Sequence, residues 1–184
     1  MNENLRSTLK VWPVIAIATI GLNFATQWIA KLFGIDLPDQ EQMTTVKNFL
    51  PHAFDSVQHF KAVVKLLFQV ILMAPALEEV LFRLTGWKLP SLALARGKCA
   101  AAVTWTIAAV SSVAFSAAHY VDYMTLSKGG EFKFLPLSSA FIALFFFGLA
   151  QCWLYMKTRR LWCPMLNHAL FNITNLVLIF VVPD

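Results

Sequence analysis

Five long apolar runs succeed one another along the chain, at about 11–33, 60–84, 99–120, 134–156 and 161–182, with short polar stretches between them. Roughly 20 apolar residues cross the hydrocarbon core of a bilayer as a helix, so each run predicts one membrane segment. Arg6 and Lys10 precede the first run as in a secretion signal. The run is too long for the apolar core of a signal peptide and reads as an uncleaved first membrane helix. Gly34, Asp36, Pro38 and Asp39 end it. Residues 35–60 are the most polar part of the chain and predict an extramembrane loop with one or two short helices, broken at Leu50-Pro51. His52 and His59 fall here and are given no role.

Pro75 lies inside the second run, where a missing N–H predicts a kink that opens a polar cavity. Gly86 and Pro90 predict the end of that helix shortly after Leu84, with Trp87, Lys88, Arg96 and Lys98 at the membrane surface. The third run ends in Phe115-Ser-Ala-Ala-His119. A polar stretch at 121–133 with a turn at Lys128-Gly-Gly separates it from the fourth.

Composition agrees with the pattern. Hydrophobic residues make up 58% of the chain and charged ones 14%, and the mean hydropathy is +0.63, which a soluble domain of 184 residues does not show. The net charge of +5 comes from clusters beside the apolar runs and not from one basic face, so it predicts membrane topology and no nucleic-acid partner. Nine Lys and Arg residues fall on one predicted side, Arg83 among them, against six on the other, which places the N-terminus in the cytoplasm. Cys99, Cys152 and Cys163 have no metal-type spacing and read as free structural thiols. The fold class is therefore all-α: a polytopic integral membrane helical bundle of about five to six transmembrane or membrane-embedded helices with an intramembrane polar cavity. Residues 1–69 supply the first membrane helix, the polar loop and the start of the second helix, and residues 70–184 the functional core.

The polar residues inside the runs carry the chemistry. A carboxylate at mid-membrane costs at least about 2.5–3.5 kcal/mol, so the adjacent pair Glu78 and Glu79 needs partners or water. Arg83 lies four residues after Glu79, the spacing and order of an ion pair along one helix face. Glu78 sits about 100° round the helix and is free to face a cavity. Phe115 and His119 are four apart and Ser112 lies on nearly the same face. His168, Asn172 and Asn175 form a polar stripe on the last segment that is either interhelical glue or a functional face. Together, a carboxylate and an imidazole can share a water with the carboxylate as general base, while a second imidazole and an amide donate to an oxyanion. The same ionisable groups also suit a small proton-coupled transporter or a non-catalytic immunity or scaffold protein, although no inverted repeat accompanies them.

Glu78-Glu79-x-x-x-Arg83, Phe115-x-x-x-His119 and His168-x-x-x-Asn172 resemble the three motifs of the CPBP family, the CAAX-prenyl-protease and bacteriocin-processing intramembrane proteases. Ala-Pro-Ala-Leu before the glutamates, Phe-Phe-Gly148-Leu-Ala and Pro164-Met-Leu-Asn-His168-Ala fit as well, and the likeness covers roughly 70–175. After Arg83 the chain reads Leu-Thr-Gly where the family commonly has Gly-Leu. The resemblance implies an endopeptidase of membrane-anchored or lipophilic peptides or proteins in the cell inner (plasma) membrane, in contact with lipid. It implies catalytic roles for Glu78, His119, His168 and Asn172, with Glu79 and Arg83 in support. No cofactor is expected. A zinc alternative would use Glu78, His119 and His168 from three separate helices, without an H-E-x-x-H motif. Straight, equally placed helices would leave His119 and His168 over about 10 Å apart in depth. Such a layout requires either that the third segment start well outside the bilayer or that the chain after His119 dip into a water-filled cavity lined by protein.

Overall fold

The computed structural model describes residues 2–38, 47, 54–121, 130 and 133–181. His52, the Leu50-Pro51 break and Lys128-Gly129 of the predicted turn lie outside the described residues. Among the described residues five long helices make up the fold: α1 (Glu3–Leu32), α2 (Val57–Leu94), α3 (Gly97–Ala118), α4 (Ala140–Thr158) and α5 (Trp162–Val181). The first four are long and apolar enough to cross a membrane. α5 is 20 residues long, and Asn167, His168, Asn172 and Asn175 dilute its apolar character. The chain is a helical multi-pass membrane protein, and among the described residues the sole β pairing is an isolated bridge between Val121 and Phe134.

Side-chain caps set two of the helix starts ahead of the apolar runs. Asn2 accepts the Asn4 N–H at 3.0 Å, so α1 begins eight residues before its run, and Ser56 accepts the His59 N–H at 3.1 Å to start α2. α4 lies at the centre and packs against α1, α3 and α5. Its Phe147 joins Ile15 and Ala16 of α1, Phe115 of α3 and Phe171 of α5 in the main core cluster. Gly148 permits close approach of α3, because a Cβ there would stand 2.9 Å from the Cβ and Oγ of Ser112. The outward face of α2, with Val64, Phe68, Leu72, Leu77 and Leu81, is exposed and apolar, as a lipid-facing helix must be.

α2 departs from expectation. Gly86 and Pro90 do not end it; the helix continues to Leu94. Pro75 and Pro90 are both accommodated by π-helical turns, at Gln69–Met73 and Glu79–Lys88. The Leu89 N–H reaches back five residues to Leu84 O, and Pro90 then enters the first turn of a new α-helical stretch, where its missing N–H is not needed. Gly86 serves packing, with Ser111 Oγ only 3.2 Å from where its Cβ would be; that hydroxyl donates to Phe82 O at 2.6 Å. Because the helix runs on, Arg83 is not at a membrane surface but fully buried. It leaves the count of flanking charges, and the bias becomes eight against six.

α4 begins at Ala140, six residues later than its apolar run, because the intervening chain is used for something else. His119 caps α3. Tyr120 is buried in the main core, its OH 2.8 Å from Ser138 Oγ, and Leu135 N–H donates to Tyr120 O at 2.7 Å. Tyr120, Leu135 and Ser138 thus hold the two ends of this stretch against the bundle.

Candidate active site

Four helical segments contribute to one cluster. α2 supplies Glu78, Glu79 and Arg83, the end of α3 supplies Phe115 and His119, α4 supplies Phe147, and α5 supplies His168 and Asn172. Glu79 and Arg83 are 0% exposed and form an ion pair at 3.1 Å, as their spacing predicts. The other oxygen of Glu79 accepts from His168 Nδ1 at 3.0 Å, so that imidazole carries its proton on Nδ1 toward a carboxylate. The Arg83 guanidinium lies 4.7 Å over the Phe115 ring, a cation–π contact between fully buried groups.

Glu78 is the carboxylate that faces outward, with 27% of its side chain exposed against 12% for His119 and 5% for His168. Its Oε2 stands 3.8 Å from His119 Nε2 and 3.8 Å from His168 Nε2. That oxygen is buried and has no hydrogen-bond donor of the described protein within reach. A separation of 3.8 Å is too long for a direct hydrogen bond and suits two groups that share a third molecule between them. His119 Nδ1 lies 2.8 Å from Phe115 O. A carbonyl can only accept, so the Nδ1–H donates to it and Nε2 presents a lone pair toward Glu78.

Aromatic rings hold both imidazoles. Phe115 meets His119 edge-on at 4.7 Å between centroids and His168 at 5.8 Å. Phe147 meets His168 at 5.1 Å and stacks at 4.5 Å on Phe171.

The helical periodicity placed most of these groups in advance, but three outcomes differ in detail. Ser112 commits its hydroxyl to Ala108 O at 2.7 Å, four residues back in α3, and not to a group of the cluster. Asn172 sends an amide N–H to Val70 O at 2.8 Å, so this member of the α5 stripe does bind two helices together. Phe147 falls within the Phe-Phe-Gly148 stretch of the family likeness, but its contact with His168 was not foreseen. Gln151 and Asn167 are also fully buried polar residues that the motifs did not single out; amides inside apolar segments were the available clue.

Zinc bound by Glu78, His119 and His168 would need three donors at about 2.0–2.2 Å from one point. Among the described residues no three His, Cys, Asp or Glu side chains gather in metal-ligating geometry. No step below runs through a metal.

A multi-pass helical bundle that converges a carboxylate and two imidazoles inside an apolar shell has the architecture of an intramembrane enzyme. The model of the type II CAAX prenyl endopeptidase Rce1-like family matches residues 60–174, more than half of the chain, and the protein belongs to that family. It is thus a member of a family of CAAX-type intramembrane proteases. No curated protein and no solved structure matches the chain.

Proposed function

We propose that this protein hydrolyses a peptide bond of a membrane-anchored or lipophilic protein or peptide, with water activated by Glu78 and His119 and without a metal. The observation that carries the reading is the unpartnered Glu78 Oε2, 3.8 Å from each of two imidazole Nε2 atoms. A water between Glu78 Oε2 and His119 Nε2 meets two acceptors, so it donates one O–H to each and turns a lone pair toward the substrate. Glu78 takes a proton as the water oxygen bonds to the carbonyl carbon. His168 Nε2–H and the second amide N–H of Asn172 donate to the oxyanion that results. Glu78 then returns its proton to the amine as the C–N bond breaks, which regenerates the carboxylate.

Charge bookkeeping inside lipid supports the same assignment. Glu78 and Glu79 carry two negative charges and Arg83 one positive; a proton on His168 Nε2, with Nδ1–H already donated to Glu79, brings the group to neutrality. Glu79 and Arg83 act on His168 and do not touch the reacting atoms. The protein sits in the cell inner (plasma) membrane with its N-terminus in the cytoplasm.

The test is cleavage of a quenched, lipid-anchored peptide library by the purified protein in proteoliposomes, with products identified by mass. Glu78→Gln should reduce kcat by about 100-fold or more, as loss of a general base does, with helical content unchanged, and o-phenanthroline should leave the wild-type rate unaltered. Full activity of Glu78→Gln would sink the mechanism, and inhibition by the chelator reversed by zinc would replace it with a metal-dependent one.

A further inference from the structure

The π-helical turn in front of the glutamates leaves a main-chain acceptor without a partner, and the structure shows what fills it. The Ala74 N–H reaches five residues back, to Gln69 O. In the same register the next N–H would serve Val70 O, but the next residue is Pro75, which has none. Inside a lipid-embedded bundle an unpaired carbonyl is costly. Asn172 Nδ2 donates to that carbonyl at 2.8 Å from the facing helix α5.

The register of this turn decides where Glu78 points. The half of α2 before it is anchored by Val63, Leu66 and Leu67, which pack with Leu176 of α5. The half after it is anchored independently by the Glu79–His168 hydrogen bond, the Phe82–Phe115 edge contact and the Ser111 bond to Phe82 O. A π turn accommodates one more residue than the α-helix it interrupts, so its removal would rotate one half against the other by about 100°. Both sets of anchors cannot survive that rotation. Rotation of the second half would carry Glu78 away from His119 and His168.

We infer that Pro75, Val70 and Asn172 form a register lock: the proline frees the Val70 carbonyl, Asn172 holds it, and the π turn so fixed aims Glu78 at the two histidines. This rests on the proposed role of Glu78, and in it Asn172 is a positioning residue in addition to any donation to the oxyanion. Asparagine suits the task because one amide N–H can serve Val70 while the other remains free; aspartate at the same length offers no N–H.

Second-site rescue tests the lock, because an alanine at position 75 brings back the backbone N–H that Val70 O lacks. Kinetics would be measured in proteoliposomes for Glu78→Gln, Asn172→Ala, Pro75→Ala and the Pro75→Ala/Asn172→Ala double variant. Glu78→Gln comes first: if it is active, the hydrolase reading fails regardless of the lock. Given an inactive Glu78→Gln, Asn172→Ala should lose about tenfold or more in kcat, the scale of one buried acceptor left unpaired, with KM within about twofold. Pro75→Ala alone should stay within about threefold of wild type, and the double variant should recover at least about half of the logarithmic loss of Asn172→Ala. A double variant no more active than Asn172→Ala would overturn the lock and leave Asn172 acting on the oxyanion alone. Inactivity of Pro75→Ala by itself would overturn it too, since Asn172 would then not be holding the register. Should Asn172→Ala fail to fold, return of helical content in the double variant is the same rescue, and its absence the same refutation.

Discussion

Replacing Arg83 by methionine removes a charge and keeps most of the volume, and it isolates a fully buried ion pair. Arg83 and Glu79 are both fully buried and 3.1 Å apart at the nearest atoms, so neither solvent screening nor side-chain freedom discounts the pair. Unit charges about 4 Å apart interact by roughly 4 kcal/mol at an effective dielectric of about 20, and breaking one side of a buried pair typically costs about 3–5 kcal/mol. The two figures agree, and Arg83→Met should lose about 3–5 kcal/mol, with the cation–π contact to Phe115 included in that range. The double variant Glu79→Gln/Arg83→Met removes both charges, while the amide oxygen of the new side chain can still accept from His168 Nδ1. It should cost less than half as much as Arg83→Met alone. Equilibrium unfolding in mixed micelles, followed by helical circular dichroism, measures both. A loss below about 1 kcal/mol for Arg83→Met, the range of solvated surface pairs, would refute the buried-pair argument. So would a double variant less stable than the single one.

Two further predictions concern packing around the site. Gly148→Ala places a methyl 2.9 Å from Ser112 Cβ and 3.2 Å from its Cα; the backbone contact cannot swing aside, so overpacking of about 1–3 kcal/mol should outweigh the gain in helix propensity, and Ser112→Gly in the same background should restore part of the melting temperature. Phe147→Leu keeps an apolar side chain but loses the ring against His168 and Phe171; it should cost about 1–3 kcal/mol as those aromatic contacts are lost and lower kcat more than it raises KM. A proportional rise in KM alone would show that Phe147 shapes the binding surface and not the orientation of His168.

Much of the fold was legible because lipid imposes it. A bilayer permits helices of a known minimum length, so the five apolar runs marked the five helices to within a few residues at most ends. The exceptions have local causes. Asn2 and Ser56 cap helices that start in polar sequence, and the apolar Phe134, Leu135 and Leu137 lie in irregular backbone before α4, where Leu135 packs against the main core cluster that holds Tyr120. Gly86 and Pro90 read as breakers under α-helical hydrogen bonding; five-residue spacing removes the conflict, and composition does not reveal that spacing.

The candidate site divides along the same line. Glu79 with Arg83, and His119 behind Phe115, were set by separations of four residues on a single helix, since helical geometry alone makes such neighbours meet. The placement of Glu78 between two imidazoles, the bond from His168 to Glu79 and the hold of Asn172 on Val70 link residues 41 to 102 positions apart. No periodicity within one helix encodes how far its neighbour slides or turns, so those contacts came from the packing of α5 and the end of α3 against a π-turned α2. Residue type and spacing dictated which side chains had to leave lipid for a common polar interior. Which atoms meet there was settled by the packed bundle, because axial offset and rotation between helices belong to the assembly of segments and not to any one of them.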